Sequence, residues 1–435
     1  MNIREINQAL FEGKTDVPGV LPHRDELKKL NYIFEVNFGL PELPLKPGII
    51  VVRGARQYGK STWLESQIEQ TIVLFGPGSA FYLNGDEIKD TKDLTQAIES
   101  TLLLFHQGVK VRRLFIDEIT AIDDWEYVLK RIYDRGLLRD VLIVATGSKA
   151  FDLRHGTERL PGRKGKLDRN NYYFTPISFQ EFTKVCGKVF KSKTLIAYIL
   201  TGGCPIACNE LAVEGRIPEY VVTMIKDWIY GECVGAGRSR SSLLAVLELL
   251  MKFALTPIGY SKLARETGLA NNTVAAGYIE LLGDLLTVAS CYYWDASRRI
   301  ELRRKPCKFH FINLLAAVVW VPSKIRSIAD FELMPNPEQA KFYEWLVAQE
   351  LWRRAAIRGD EYPERLNFWQ SDNYEIDFVV TKDLMIEVKL GRASPLDFHW
   401  FPKIFPKAHL KVITTNPFKT DKIEGVLLED FLREQ

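Results

Sequence analysis

The sequence has six cysteines, Cys186, Cys204, Cys208, Cys233, Cys291 and Cys307, but no Cys-x-x-Cys pair and no histidine at zinc-finger spacing from them. That excludes the common structural zinc modules, since Cys204 and Cys208 could share a helical face but two thiols alone do not complete a tetrahedral site. Reduced, mostly buried thiols are the expectation. The sequence also lacks an uninterrupted apolar run long enough to span a bilayer. Its opening residues, 1–16, carry charges throughout, with no apolar core of a secretory signal. A soluble, cytoplasmic protein without a membrane partner is expected. Strong charge of one sign is missing too: the formal charge is +3 and the pI about 8.3, too mild to indicate nucleic-acid binding by itself. Any such surface must come from a local cluster.

What is present begins with a nucleotide-binding pattern. The apolar run Ile49-Ile50-Val51-Val52 leads into Gly54-Ala55-Arg56-Gln57-Tyr58-Gly59-Lys60-Ser61-Thr62. A strand, a phosphate-cradling loop and a helix N-terminus are expected. Backbone N–H groups of such a loop wrap a polyphosphate, Lys60 reaches the β/γ-phosphates, and the Ser61 hydroxyl serves Mg²⁺. Some fifty residues on, Leu114-Phe115-Ile116 ends in Asp117-Glu118. There the aspartate can hold Mg²⁺ and the glutamate can polarise the attacking water. ATP and Mg²⁺ are the expected cofactors.

With 435 residues, two to four domains are expected. Residues 1 to about 47 read as a helical lead-in, with Arg24 to Phe38 mixing charged and apolar residues before Pro41, Pro44 and Pro47. Continuous apolar strands at Val51-Val52, Ala80–Leu83, Leu114–Ile116 and Val141–Ala145 then alternate with helical stretches, as a parallel sheet covered on both faces requires. The last strand ends in Thr146-Gly147-Ser148, where Thr146 or Ser148 could sense the γ-phosphate or position water, or simply cap the next helix. Residues 154–166 are basic and glycine-rich, and read as an exposed loop. Arg163 could neutralise charge on the transferring phosphoryl group, in its own subunit or in a neighbour's within a homo-oligomer, or face solvent or nucleic acid.

The expected division is a P-loop domain at 1–176, a helical linker or lid at 177–245, a winged helix-turn-helix at 246–325 and a small α/β domain at 326–435. The third rests on Tyr260–Leu282, which reads as a short helix, a turn at Gly268 and a second helix capped near Asn271 or Asn272. That second helix is expected to display Asn271, Asn272, Thr273, Tyr278 and Glu280. The alternating stretch Leu286 to Leu302, turning at Asp295-Ala296-Ser297, would be the wing, rimmed by Arg298, Arg299, Arg303, Arg304 and Lys305. Double-stranded DNA and a protein are both open as its partner.

The last domain has its own acid pattern. Lys341–Leu351 reads as an amphipathic helix carrying Glu344, and Tyr374–Val380 with Leu384–Lys389 as a hairpin across Thr381-Lys382-Asp383. Glu387 and Lys389, two apart, point to one side of the sheet, where Asp377 can face them. Glu344, Asp377 and Glu387 with Lys389 make a possible second metal site of the kind that cleaves phosphodiesters. The alternative is a set of edge-strand charges facing solvent.

The whole layout resembles the prokaryotic AAA-type ATPases that carry a C-terminal domain of unknown function. The matching residues are Gly54, Arg56, Gln57, Gly59 and Lys60; Asp117 and Glu118; Gly147-Ser148; Gly162-Arg163; Pro176–Phe182; Gly202-Gly203-Cys204-Pro205; and the closing Glu375–Val379 and Glu387-Val388-Lys389. The resemblance implies an α/β fold: a P-loop NTPase parallel-sheet domain, then a helical and winged-helix domain, then a small restriction-endonuclease-like α/β domain. It implies ATP binding more strongly than any cellular role. In Lys308-Phe309-His310-Phe311-Ile312-Asn313 the segment's usual closing aspartate is replaced by Asn313.

Overall fold

A computed structural model describes residues 1–148 and 167–434, so Gly162 and Arg163 lie outside the described residues. The chain forms two compact units, Met1–Thr175 and Pro176–Gln435.

In the first unit, α1 (Ile3–Phe11) and α2 (Pro22–Leu27) precede β1 (Gly48–Gly54), α3 (Lys60–Phe75), β2 (Ala80–Asn84), α4 (Thr91–Leu102), β3 (Arg112–Asp117), α5 (Trp125–Asp134), β4 (Val141–Gly147) and β5 (Asn171–Phe174). The five strands are parallel in the order β2-β3-β4-β1-β5. Every residue of β1 and β4 is buried, which is why their text runs apolar without alternation. One core joins Val51, Leu114, Ile116 and Ile143 from the strands to Leu94 and Ile98 of α4 and Trp125 and Leu129 of α5. The lead-in is helical only as far as Leu27; α2 ends at Lys28 and the stretch towards Phe38 is irregular. α1 has a definite task. The Asn7 side chain accepts from Tyr82 N and donates to Tyr82 O, both at 2.8 Å, so it pairs backbone groups of the edge strand β2.

The second unit opens with helices α6 (Phe179–Phe190), α7 (Thr194–Thr201), α8 (Pro205–Glu214), α9 (Glu219–Gly235) and α10 (Arg240–Lys252). A boundary at 245 is therefore misplaced, because it would cut α10. α11 (Tyr260–Thr267) and α12 (Asn272–Asp284) follow, with Gly268 left-handed between them and Asn271 accepting from Val274 N as the cap. Tyr278 is not displayed: it is 3% exposed, and Ser239 N donates to its hydroxyl at 3.0 Å. Next come β6 (Val288–Asp295), β7 (Ile300–Leu302), β8 (Lys308–Phe311), α13 (Leu314–Trp320), α14 (Ile328–Glu332), α15 (Asn336–Arg358), β9 (Arg365–Gln370), β10 (Glu375–Ile376), β11 (Phe378–Thr381), β12 (Leu384–Val388), β13 (His409–Ile413), β14 (Phe418–Lys419) and β15 (Ile423–Val426).

Two sheets result, β10-β9-β6-β7 with β8 also on β6, and β11-β12-β13-β15-β14. The stretch expected as a wing forms the hairpin β6–β7, with Asp295 opposite Ile300. Yet β6 also pairs in parallel with β9, Ser290 opposite Arg365 through Tyr293 opposite Phe368, so strand pairing crosses the boundary expected at 325. The helix α15 is not amphipathic: residues 344–353 are buried without a break. A helix enclosed on all sides needs no polar stripe. Asn313 caps α13 by accepting from Ala316 N at 3.1 Å, a task asparagine performs as well as aspartate.

Candidate functional site

The parallel register sets the first site. Arg53 lies opposite Gly147 and Ile116 opposite Ala145, so the loop after β1, the acid pair after β3 and Ser148 after β4 emerge at one edge of the sheet. Ligands of open parallel sheets bind at the carboxyl ends of strands. Gly59, at φ 98°, gives the loop its left-handed turn into α3, where a side chain would be strained even though nothing crowds it. Gln57 at φ 66° and Glu118 at φ 47° hold the same region without being glycine. Such backbone is retained where the surroundings fix it, often at ligand sites.

Lys60 is buried, and its Nζ donates to Gly54 O and Ala55 O, each at 3.0 Å. Ala55 and Tyr58 are buried, Arg56 and Gln57 exposed, and Gly59, Ser61 and Thr62 half-buried. The Asp117 carboxylate, 5% exposed, accepts from the Thr146 hydroxyl. Glu118 Oε2 accepts from Ser148 N at 3.0 Å and from Ser148 Oγ at 2.9 Å. Both hydroxyls at the end of β4 are therefore turned to the acids. Gly85, just after β2, is required by close approach: a Cβ there would stand 2.2 Å from Glu118 O.

At this first site, His23 and Glu65 were not marked by the sequence. His23 Nδ1 lies 2.7 Å from Glu65 Oε1, and Arg24 N donates to Glu65 Oε2 at 2.9 Å, tying α2 to α3 one turn beyond Ser61. The Glu65 hydrogen bond raises the imidazole pKa against the effect of burial, and the Glu65 and Asp117 charges raise it further. Pro22-His23-Arg24 has no chemical spacing to the loop, so nothing in the text alone marked it.

The second cluster lines a cavity of about 390 Å³ bounded by Lys308, Glu344, Tyr374, Glu375, Asp377, Glu387, Lys389 and Trp400, among others. A local oddity places Asp377: the chain leaves one sheet at Ile376 and enters the other at Phe378, so this residue sits at the changeover. Its Oδ2 accepts from Val388 N at 2.9 Å, and its own N donates to Glu387 Oε2 at 3.2 Å. Lys389 Nζ is 2.6 Å from Glu387 Oε1. Thus Glu344, Asp377, Glu387 and Lys389 do converge, and the edge-charge alternative fails for the three acids, which are buried. Burial first and the Asp377 charge second push Glu387 up to about 8; the same causes raise Glu344 well above the usual carboxylate range. Lys308, absent from the expected set, enters from β8 and lies 3.2 Å from Asp377 and 3.7 Å from Glu344, with Glu375 in closer contact. No group of three Asp, Glu, His or Cys side chains among the described residues is arranged to hold a metal ion. All six cysteines are buried and unbridged.

Residues 46–183 match the family model described as an AAA domain. The first unit thus contains an AAA-type, P-loop ATPase-like domain, and the match supports nucleotide binding and hydrolysis in general. An uncharacterised protein of Methanocaldococcus jannaschii is 23% identical over 354 residues, 78% of this chain and 74% of its own length. A second uncharacterised protein of that organism is 31% identical over 217 residues, 42% of this chain and 43% of the relative. Among solved structures, a Walker-type ATPase of Pyrococcus abyssi aligns with TM-score 0.42 and 14% identity, covering 68% of this chain and 94% of that one. The ORC2 protein of Aeropyrum pernix, solved as ADPNP–ADP complexes, gives 0.36 and 12%, covering 73% and 93%. No helix among the described residues is long and apolar enough to cross a membrane.

Proposed function

We propose that this protein is a Mg²⁺-dependent ATPase of the AAA type that couples nucleotide state to DNA binding by its second unit. The observation that carries the reading is the single sheet edge at which the Gly54–Thr62 loop, Asp117, Glu118 and Ser148 emerge. The residues present fit the magnesium nucleotide: backbone N–H groups at a helix N-terminus, a lysine, a hydroxyl and a buried aspartate form a donor set suited to a triphosphate and a hard cation. Lys60 would steady the β/γ-phosphates, Ser61 and Asp117 would hold the Mg²⁺, and Glu118 would orient water. The ion supplies charge neutralisation at the transferring phosphoryl group. Ser148 holds Glu118 and Thr146 holds Asp117, so both acids are fixed at the carboxyl end of the sheet. Arg163 is proposed for the transferring phosphoryl group in this chain or across a homo-oligomer.

ATP hydrolysis measured with Mg²⁺ and with EDTA tests the core of the reading; turnover indifferent to EDTA would remove the metal role. Ser148→Ala deletes one of the two hydrogen bonds on Glu118 and keeps the backbone one. A loss of about tenfold or more in kcat is expected, the equivalent of a hydrogen bond to a charged group. Unchanged kcat would release Ser148 from the mechanism.

The proposed DNA contact is the hairpin β6–β7 beside α12, in the manner of a winged helix. Arg298, Arg299, Arg303, Arg304 and Lys305 are all exposed there, although Asp295 and Glu301 partly neutralise Arg298 and Arg303. With Tyr278 buried, Asn272, Thr273 and Glu280 are the exposed side chains of α12 that the reading retains. Few base contacts are expected, and phosphate contacts dominate. Replacing the four arginines by glutamine is expected to weaken duplex binding and to lower the slope of log K against log salt by about 3. No duplex affinity at low salt in the parent protein would assign the surface to a protein partner. The small α/β domain of the reading resembles a restriction endonuclease, and its acid cluster raises a separate question.

A further inference from the structure

A nuclease-like reading of the second unit needs a divalent cation among Glu344, Asp377 and Glu387, and the structure supplies an observation against it. Lys308 is 1% exposed at its side chain, and its ammonium stands within ion-pair distance of Glu344, Glu375 and Asp377. These carboxylates come from three places: the buried helix α15, the short strand β10 and the sheet changeover. One cation is shared by acids that strand pairing and helix packing each bring in separately.

We propose that the Lys308 ammonium is the resident cation of this cluster, standing where a divalent metal would have to sit, so that the second unit takes neither Mg²⁺ nor Mn²⁺ there. Charge and space both argue for it. Carboxylates of Glu344, Asp377 and Glu375 face the ammonium from three directions in the fold, as the partners of a buried cation must. A dication drawn to the same oxygens would meet that charge at a few ångströms in a poorly screened interior. Mg²⁺ also demands near-octahedral oxygen at about 2.0–2.1 Å. Three of the oxygens that would supply it are engaged: Asp377 Oδ1 by Lys308, Asp377 Oδ2 by Val388 N and Glu387 Oε1 by Lys389; Glu344 Oε1 faces the ammonium at 3.7 Å. The lysine's backbone is held in place. Its strand β8 is paired with β6, Lys308 opposite Cys291, and Phe368 closes over the ammonium with its ring centroid 5.5 Å from Nζ. The cluster then ties β8, α15 and the two sheets together by charge, with the lysine in the place of a metal.

The test counts bound Mn²⁺ on the full chain without nucleotide, by equilibrium dialysis with electron paramagnetic resonance, alongside thermal midpoints. The parent protein and Asp377→Asn are expected to bind the same number of Mn²⁺ ions. Lys308→Met keeps most of the stem and removes the charge; it is expected to bind one additional Mn²⁺ per chain, to gain thermal stability on adding Mn²⁺, and to lose both when Asp377→Asn is added. A Mn²⁺ ion held by the parent and lost in Asp377→Asn would overturn the proposal. So would a folded Lys308→Met protein that gains no ion. Should Lys308→Met fail to fold, the comparison of parent with Asp377→Asn decides alone. Because the P-loop is intact in all these proteins, failure here leaves the ATPase reading where its own assay puts it.

Discussion

Lys60→Ala is expected to lower ATP turnover by at least about 100-fold and to weaken nucleotide affinity, with little change in thermal midpoint. Buried but close to the loop, the ammonium donates to Gly54 O and Ala55 O at 3.0 Å each. Those two bonds satisfy a charge that burial would otherwise penalise. In the proposed function the lysine would exchange carbonyls for phosphate oxygens on nucleotide binding, and charge-assisted hydrogen bonds are worth about 1.5–3 kcal/mol each. Losing about 3 kcal/mol from the transition state corresponds to roughly 100-fold. The folded loop loses less, since its carbonyls can turn to water. Steady-state hydrolysis, nucleotide titration and a melting curve separate the two effects. Turnover equal to the parent's would sink the assignment of this loop.

Gly85→Ala should be the most damaging glycine-to-alanine change among the described residues of the first unit. A Cβ at that position would lie 2.2 Å from Glu118 O and 2.8 Å from Glu118 C, both backbone atoms that cannot rotate aside. Overpacking of this kind costs about 3 kcal/mol, at the upper end of its usual range. The expected relief is a shift of the Glu118 segment, and that segment carries the side chain held by Ser148. Stability in urea should therefore fall by about that amount, and hydrolysis should drop more than nucleotide affinity does. A variant with the parent's denaturation midpoint and kcat would show that the two turns are free to separate.

The two halves of the chain differed in how much their text disclosed. Around Gly54–Thr62 and Asp117–Glu118 the chemistry is local: loop, strand ends and acid pair each sit within a few consecutive residues, and apolar runs flag the buried parallel strands on either side. Ser148 was legible as a polar strand end, but its partner was not, because the Ser148–Glu118 bond spans two neighbouring strands. The second unit hid more. Tyr278 reads as a displayed residue on α12, and only packing against the start of α10 buries its ring and hydroxyl. The boundary expected near 325 followed composition, whereas β6 and β9 pair across it with more than seventy intervening residues. Lys308 stood out only as the start of the Lys308–Asn313 segment, with nothing to tie it to the acids. It lies 36 residues before Glu344 and 69 before Asp377, with no motif linking them.

By itself, the sequence determined that a phosphate-cradling loop precedes a helix, that acids close a buried strand, and that Glu387 and Lys389 share a side of theirs. Each of these follows from periodicity and spacing within one element, where backbone geometry leaves few choices. Tertiary structure alone decided which charges meet. Strand order and register brought Ser148 to Glu118, and helix packing, strand pairing and the changeover at Asp377 together drew three carboxylates around the Lys308 ammonium. Long-range pairing creates such contacts between residues whose spacing in the chain carries no information about their distance in space.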